Sequence, residues 1–368
     1  MQKLAFVSTM EVAPWGGSEE LWSQTALRLA QRGVNVVANV KWWPEPAKPL
    51  TALQAAGGQI EWRKPPSRVR RVAKKIWPRQ SQWLDRVRPT LVVISQGDHL
   101  SGYQWAEECR KRSIRYALIA QAACEYWWPA DDQLITMTQA YEGAQESFFV
   151  SEANLKLTRR QLAIEVERAT VVRNPFNLDY DCCPKWPQEE TITRLACVAR
   201  LEPSAKGQDI LFEVLRQEKW RQRPVSVTLY GKGAQGQSLR CLKDRYGLAN
   251  VTFGGFCSDV ASIWENHQAL VLPSRYEGLP LAVVEALLCG RPVITTDIAG
   301  NAELLEDNVT GFVAAAPTPS SLDEAMERAW SNRSRWRSMG QLAAVQVRQQ
   351  IPRDPIAVFA DHLMKLMA

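Results

Sequence analysis

Short runs of consecutive apolar residues alternate along the chain with longer stretches in which apolar residues recur every three or four positions. Bounded apolar runs read as buried strands, and the 3.6-residue recurrence reads as amphipathic helix. The first half therefore predicts strands at 4–8, 34–40, 91–95, 115–120 and 147–150, with helices at 18–32, 102–112 and 152–163. A second series follows residue 190, with strands at 194–199, 225–230, 250–253, 269–272 and 292–295. Its helices fall at 207–217, 235–246, 259–266 and 281–289. From Asn174 to Glu190 the periodicity fades and Pro175, Pro184 and Pro187 intervene, which reads as a linker.

Strand–helix alternation specifies parallel α/β sheets, and two doubly wound domains facing across a cleft are the economical reading. The expected divisions are 1–175, 190–350 and a closing helix at 354–368. That helix puts Ile356, Phe359, Ala360, Leu363 and Leu366 on one face, suited to packing back on the first domain.

The 368 residues, 46% hydrophobic and 23% charged, are enough for two ordinary domains with cores. No segment approaches the ~20 apolar residues that a membrane-spanning helix needs, and Leu4-Ala5-Phe6-Val7 enters a strand without a leader peptide. The eight cysteines are scattered without a CxxC pair, which fits reduced thiols in a cytoplasmic protein. The three histidines, His99, His267 and His362, have no second ligand at metal-binding spacing, so no metal site is expected.

The net charge of +6 is a poor average. Residues 63–88 hold ten Lys and Arg against Asp85 alone, a local +9 that leaves −3 for the rest. Within this stretch, Arg68 to Trp77 reads as a helix with Val69, Val72, Ala73, Ile76 and Trp77 to one side and Arg70, Arg71, Lys74 and Lys75 around the other. Such a stretch suits peripheral docking on an anionic membrane, at the inner face for a cytoplasmic protein. It suits equally a solvated basic helix or an RNA contact. Because the basicity is local, no nucleic-acid partner is expected of the protein as a whole.

The richest chemistry lies in Glu277-Gly278-Leu279-Pro280-Leu281-Ala282-Val283-Val284-Glu285. A helix starting near Leu281 offers free N–H groups to an anion, and Gly290 ahead of Pro292 is a natural C-cap. Glu277 and Glu285 flank the helix start, and carboxylates beside a phosphate site suit the recognition of vicinal hydroxyls. Together these suggest a nucleotide sugar, although a solvated helix with surface glutamates would look alike. Arg200 and Lys206 after strand 194–199 could converge on one diphosphate, or belong to a solvated loop. Gly231-Lys232-Gly233 follows the next strand. In the first domain, Trp15-Gly16-Gly17-Ser18-Glu19 leads into a helix that Ser18 could cap. No G-x-G-x-x-G is present, which disfavours a nicotinamide dehydrogenase. All these candidates fall at carboxyl ends of predicted strands.

The motifs Val198-Ala199-Arg200-Leu201 to Lys206-Gly207-Gln208-Asp209, Tyr230-Gly231-Lys232-Gly233, Phe253-Gly254-Gly255-Phe256 and Pro273-Ser274-Arg275-Tyr276-Glu277-Gly278-Leu279-Pro280 to Glu285-Ala286 resemble the family-four retaining nucleotide-sugar glycosyltransferases. The resemblance spans the second domain, and in the first it rests on Gly16-Gly17-Ser18-Glu19 and the strand pattern. It implies a GT-B fold of two Rossmann-like domains and transfer from a nucleoside-diphosphate sugar to an acceptor hydroxyl with retention. It also implies that Arg200 and Lys206 hold the diphosphate, with Gly16, Gly17 and Gly231 approaching the donor. Glu277 would take donor-sugar hydroxyls, the backbone of Gly278, Leu279 and Leu281 would meet the phosphate, and Glu285 would bind the ribose. No cofactor or metal is implied. Base recognition would fall near Phe256 and Cys257.

One departure concerns the place where relatives carry a histidine after the fifth strand, here Gln121. His99, otherwise expected to be exposed on its loop, is a candidate substitute. Ten of the fifteen tryptophans lie in residues 1–150, mostly as core. The adjacent pair Trp127 and Trp128, with Glu125 and Asp131 nearby, is expected to border the acceptor, a glycan, glycolipid or lipid-linked saccharide. Two rival functions remain. A nucleotide-sugar 2-epimerase would act on donor alone, and a non-catalytic nucleotide-sugar-binding protein would show no turnover.

Overall fold

A computed structural model describes residues 2–11, 13–64, 79–188 and 191–368. The helix expected at Arg68 to Trp77 lies outside the described residues. The chain divides into two compact units, one of Met1–Pro175 with Asp354–Ala368 and the other of Phe176–Arg353.

The first unit is built on seven parallel strands: β1 (Lys3–Ser8), β2 (Asn35–Lys41), β3 (Gln59–Arg63), β4 (Leu91–Gln96), β5 (Arg115–Ala120), β6 (Glu146–Phe149) and β7 (Ala169–Val171). Their order is β3-β2-β1-β4-β5-β6-β7, doubly wound, with β4 central and the winding reversing between β1 and β4. Side chains alternate across each strand, so the sheet feeds two cores. Leu4 and Phe6 join Leu91, Val93 and Phe148 on one face, against Trp22 and Phe359. Ala5 and Val7 join Val92, Ile94 and Phe149 on the other, against Trp83 and Trp105. This double burial is why the strands read as uninterrupted apolar runs.

The helix Pro355–Met367 belongs to this unit. Its start is capped by Asp354, which accepts from Ala357 N at 2.9 Å, and Arg28 pairs with the same carboxylate at 2.6 Å. Phe359 meets Phe148 edge-on at 4.9 Å, a geometry that adds to the gain from burying both rings.

The second unit has six parallel strands: β8 (Thr193–Val198), β9 (Val225–Tyr230), β10 (Val251–Gly255), β11 (Ala269–Leu272), β12 (Val293–Thr296) and β13 (Gly311–Ala314). They run in the order β10-β9-β8-β11-β12-β13. Strand order reverses between β8 and β11, and loops after those two strands form the switch point where such sheets bind ligands.

Strands β3, β7 and β13 were not among the predicted elements. All three are edge strands, and β3 (Gln-Ile-Glu-Trp-Arg) alternates polar and apolar where the central strands do not. The helix predicted at 207–217 is Gln208–Leu215, preceded across Gly207 by a short turn of helix, Pro203–Lys206, that was not predicted. Among the described residues, no helix is long and apolar enough to cross a membrane.

Candidate active site

The loops after β8 and β11 of the second unit are fastened together. Gly207 adopts φ +65°, and a Cβ there would lie 1.9 Å from the carbonyl oxygen of Pro273, so only glycine allows this approach. Arg275 N donates to the Ala205 carbonyl at 2.8 Å, and its guanidinium grips Asp209 through two bonds of 2.7 and 2.8 Å. A planar fork on a carboxylate fixes orientation as well as distance. As a result Lys206 Nζ reaches Glu277 Oε1 at 2.6 Å, and the Ser274 hydroxyl donates to the same oxygen at 2.8 Å. Lys206 and Glu277 side chains are only 15% and 8% exposed.

Glu277 leads directly into the helix Leu281–Leu288. Its N-cap is Pro280, and no side chain caps it, which leaves the positive end of the helix available to an anion. Gly278 and Leu279 are buried just ahead of it. Gly231 adopts φ +140°, where a Cβ would lie 2.0 Å from the Ala199 carbonyl oxygen; this holds the loops after β8 and β9 in contact. Arg200 is half-exposed and pairs with Glu202 at 3.1 Å. Lys232 sits 5.6 Å from the ring centre of the exposed Phe256.

Glu285 is buried one helical turn further in. Its Oε1 accepts from the backbone N of Asn177 at 2.9 Å and from the Asn177 side chain at 3.2 Å. Burial pushes its carboxyl up to about 7, and the two Asn177 bonds only partly offset that. Sequence reading missed Asn177 and Ser274. Asn177 lies in the stretch read as a featureless linker; the signal was a polar residue just after Pro175 in a segment too short to be a helix.

In the first unit, Gly16 and Gly17 follow β1. A Cβ on Gly16 would meet nothing nearer than 3.9 Å, so packing does not demand glycine there. Ser18 does not cap the helix, a correction to the sequence reading. The chain instead makes a 3-10 turn, with Glu19 N bonded to the Gly16 carbonyl at 2.9 Å, before the helix Glu20–Gln31. Glu19 is buried against Trp22 Nε1 at 3.1 Å, and desolvation raises its carboxyl to about 7. Trp15, Trp43 and Trp62 line a hollow beside it with Met10 and Lys41.

The acceptor-side candidates are divided. His99 is fully buried rather than exposed, because its loop folds inward and the His99 N–H bonds the Ala122 carbonyl at 2.9 Å. Its Nε2 is 2.6 Å from Gln161 Oε1, and its ring lies against Trp127 at 6.5 Å. Burial pulls its pKa down to about 4, so the imidazole is neutral near pH 7. Gln121 is buried, and its Oε1 accepts from Asn174 at 2.9 Å while its Nε2 lacks a partner. Trp128 is exposed, and Glu125 pairs at the surface with Arg160 at 3.2 Å. Thus His99, Trp127 and the Gln121 loop come together; Glu125 and Trp128 point to solvent. Among the described residues no group of three or more His, Cys, Asp or Glu side chains could hold a metal ion.

Two doubly wound parallel-sheet units, the second with the Lys206 and Glu277 loops at its switch point, define the GT-B fold. The likeness to solved structures agrees: Anabaena HepE, in complex with UDP and glucose, superposes at TM-score 0.75 over 99% of this chain and 100% of that one, at 18% identity. Residues 184–345 match the family described as Glycosyl transferases group 1. A D-inositol 3-phosphate glycosyltransferase of Gordonia bronchialis is 28% identical over 193 residues, 46% of this chain and 42% of that protein. A poly(ribitol-phosphate) alpha-N-acetylglucosaminyltransferase of Staphylococcus aureus is 30% identical over 132 residues, 35% of this chain and 26% of that protein. The matches therefore span less than half the length of these curated relatives.

Proposed function

We propose that the protein transfers a sugar from a nucleoside-diphosphate sugar to an acceptor hydroxyl, with retention of configuration and without a metal. The observation that carries this is the Lys206–Glu277–Ser274 cluster at the mouth of an uncapped helix. A cation and a helix start suit a diphosphate, and a carboxylate between them suits sugar hydroxyls.

In this reading Arg200, Lys206 and the N–H groups from Gly278 to Leu281 stabilise the charge that grows on the departing phosphate. Preorganised donors aimed at developing charge are the largest catalytic lever such a site has. Glu277 orients the donor sugar, Gly231 lets the backbone come near, Phe256 borders the base, and Glu285 takes the ribose diol. Front-face attack lets the leaving phosphate accept the acceptor proton, so no protein base is required. Acceptor recognition falls to the first unit, with the tryptophan-rich loops suited to a saccharide face. The local charge of residues 63–88 suits an acidic or membrane-presented acceptor, such as a glycolipid or lipid-linked saccharide, met by a cytoplasmic enzyme at the inner membrane face.

The test is turnover of UDP, GDP and ADP sugars against an acceptor panel, with and without EDTA. Product of retained configuration, undiminished by EDTA and lost in Lys206→Ala and Glu277→Ala, is the expected result. Epimerised donor formed without acceptor, or no turnover with any pair, would overturn it. Flotation with anionic vesicles at low salt checks the membrane arm, which fails if the protein stays at the bottom.

A further inference from the structure

Three thiols, Cys182, Cys183 and Cys289, gather where the segment after Asn177 passes the end of the helix Leu281–Leu288. The buried Arg291 and the half-buried Arg348 fasten that segment down. Arg348 Nη2 donates to the carbonyls of Tyr180 at 2.8 Å, Cys182 at 3.4 Å and Leu288 at 3.0 Å. Arg291 Nη1 donates to the Cys289 carbonyl at 2.7 Å, and its Nη2 to Lys185 at 2.7 Å and Pro184 at 3.3 Å. Each guanidinium thus bridges the segment 180–185 and residues 288–289, which brings Cys182 and Cys289 side by side. The Cys182 and Cys289 side chains are neighbours. Neither serves the donor chemistry proposed above.

We propose that Cys182 and Cys289 are a thiol–disulfide modification site, closed by exchange with a small-molecule disulfide, and that the closed form locks the Asn177–Glu285 contact. The half-buried Cys182 thiolate attacks one sulfur of the small disulfide, whose S–S bond breaks and releases one thiolate. The Cys289 thiolate then attacks the Cys182 sulfur and expels the second. Two protein thiols are oxidised by two electrons, the small disulfide is reduced to two thiols, and two protons pass to the leaving thiolates. Cys289 is buried and its thiol is held neutral by desolvation, so the second step is slow and accelerates with pH. Asn177 lies five residues before Cys182 on the strap so tethered, and it holds Glu285 through two hydrogen bonds. The exposed Cys183 is a competitor for the oxidant, but a bridge between neighbours Cys182 and Cys183 would have to distort their shared peptide.

The experiment incubates the full chain with oxidised glutathione across pH 7 to 9 and maps disulfides by mass spectrometry. A peptide link between Cys182 and Cys289 is expected, formed about tenfold faster per pH unit and equally in Cys183→Ser. Oxidation should raise the melting temperature by several degrees, slow amide exchange at Asn177 at least tenfold, and reverse with dithiothreitol. A Cys182–Cys183 bridge, glutathione attached at Cys183 alone, or a Cys182–Cys289 link that leaves Asn177 exchange unchanged would each overturn the proposal. None of these readouts depends on turnover, so the outcome is separate from that of the proposed function.

Discussion

Lys206 Nζ lies 2.6 Å from Glu277 Oε1, although the residues are 71 positions apart and belong to loops after different strands. The lysine neutralises a carboxylate that would otherwise be stranded in a nearly dry site. Under the proposed function, a diphosphate at the helix start would compete for the same ammonium, freeing Glu277 for hydroxyls.

Lys206→Met therefore has two separable effects. It should lower transfer by about 10²–10³, the usual cost of removing one donor to a developing charge. It should also cost on the order of 3 kcal/mol, because a buried carboxylate loses its cation. Adding Glu277→Gln should restore most of the stability and none of the activity. Urea denaturation beside sugar-transfer rates checks this, and recovery of both together would contradict it.

The pH dependence of stability follows from Glu285. Its carboxyl is raised from 4.5 to about 7 on folding, so the folded state binds the proton more tightly. That contribution is complete below pH 4.5 and is lost as pH rises through about 7. Glu285→Gln keeps the Asn177 acceptor without the charge. It should be more stable than the parent above neutrality, and the difference should vanish toward pH 4.5, as urea midpoints at a series of pH values would reveal.

His99 acts at the acid end. Its pKa falls from 6.5 to about 4 on burial, so its stability contribution is present above 6.5 and lost as pH drops toward 4. His99→Gln should flatten the stability profile between those values. A profile as steep as the parent's would show that another group titrates there.

Glycines make a paired test. Gly207→Ala should cost on the order of 2 kcal/mol or more, since its Cβ would strike the Pro273 carbonyl. Gly16→Ala, with open space around its Cβ and an extended φ of −163°, should change stability by less than about 0.5 kcal/mol. If Gly16 serves close approach of a ligand, activity falls while the melting temperature stays.

The sequence made the central strands legible because both faces of each sheet are buried, turning β1, β4, β5 and β11 into unbroken apolar runs. Edge strands β3 and β7 escaped notice, since an edge buries less and its pattern thins. Lys206, Glu277 and the helix start could be named from residue type and their position after the ends of two strands, β8 and β11. Asn177 could not, because its role comes from a contact 108 positions away that no local pattern encodes. His99 failed for a related reason: a loop residue looks solvated until the loop itself is seen to turn inward, sealed by Gln161 and Trp127.

Phe359 lies on Phe148, yet the whole second unit is translated between them. Unit two is thus an insertion within the chain of unit one. During synthesis, a sheet of seven strands must wait, with a hydrophobic flank unfilled, until residues 354–368 leave the ribosome. A fragment ending at Pro175 should consequently aggregate when expressed alone, whereas grafting 354–368 onto it through a flexible tether should rescue a soluble domain.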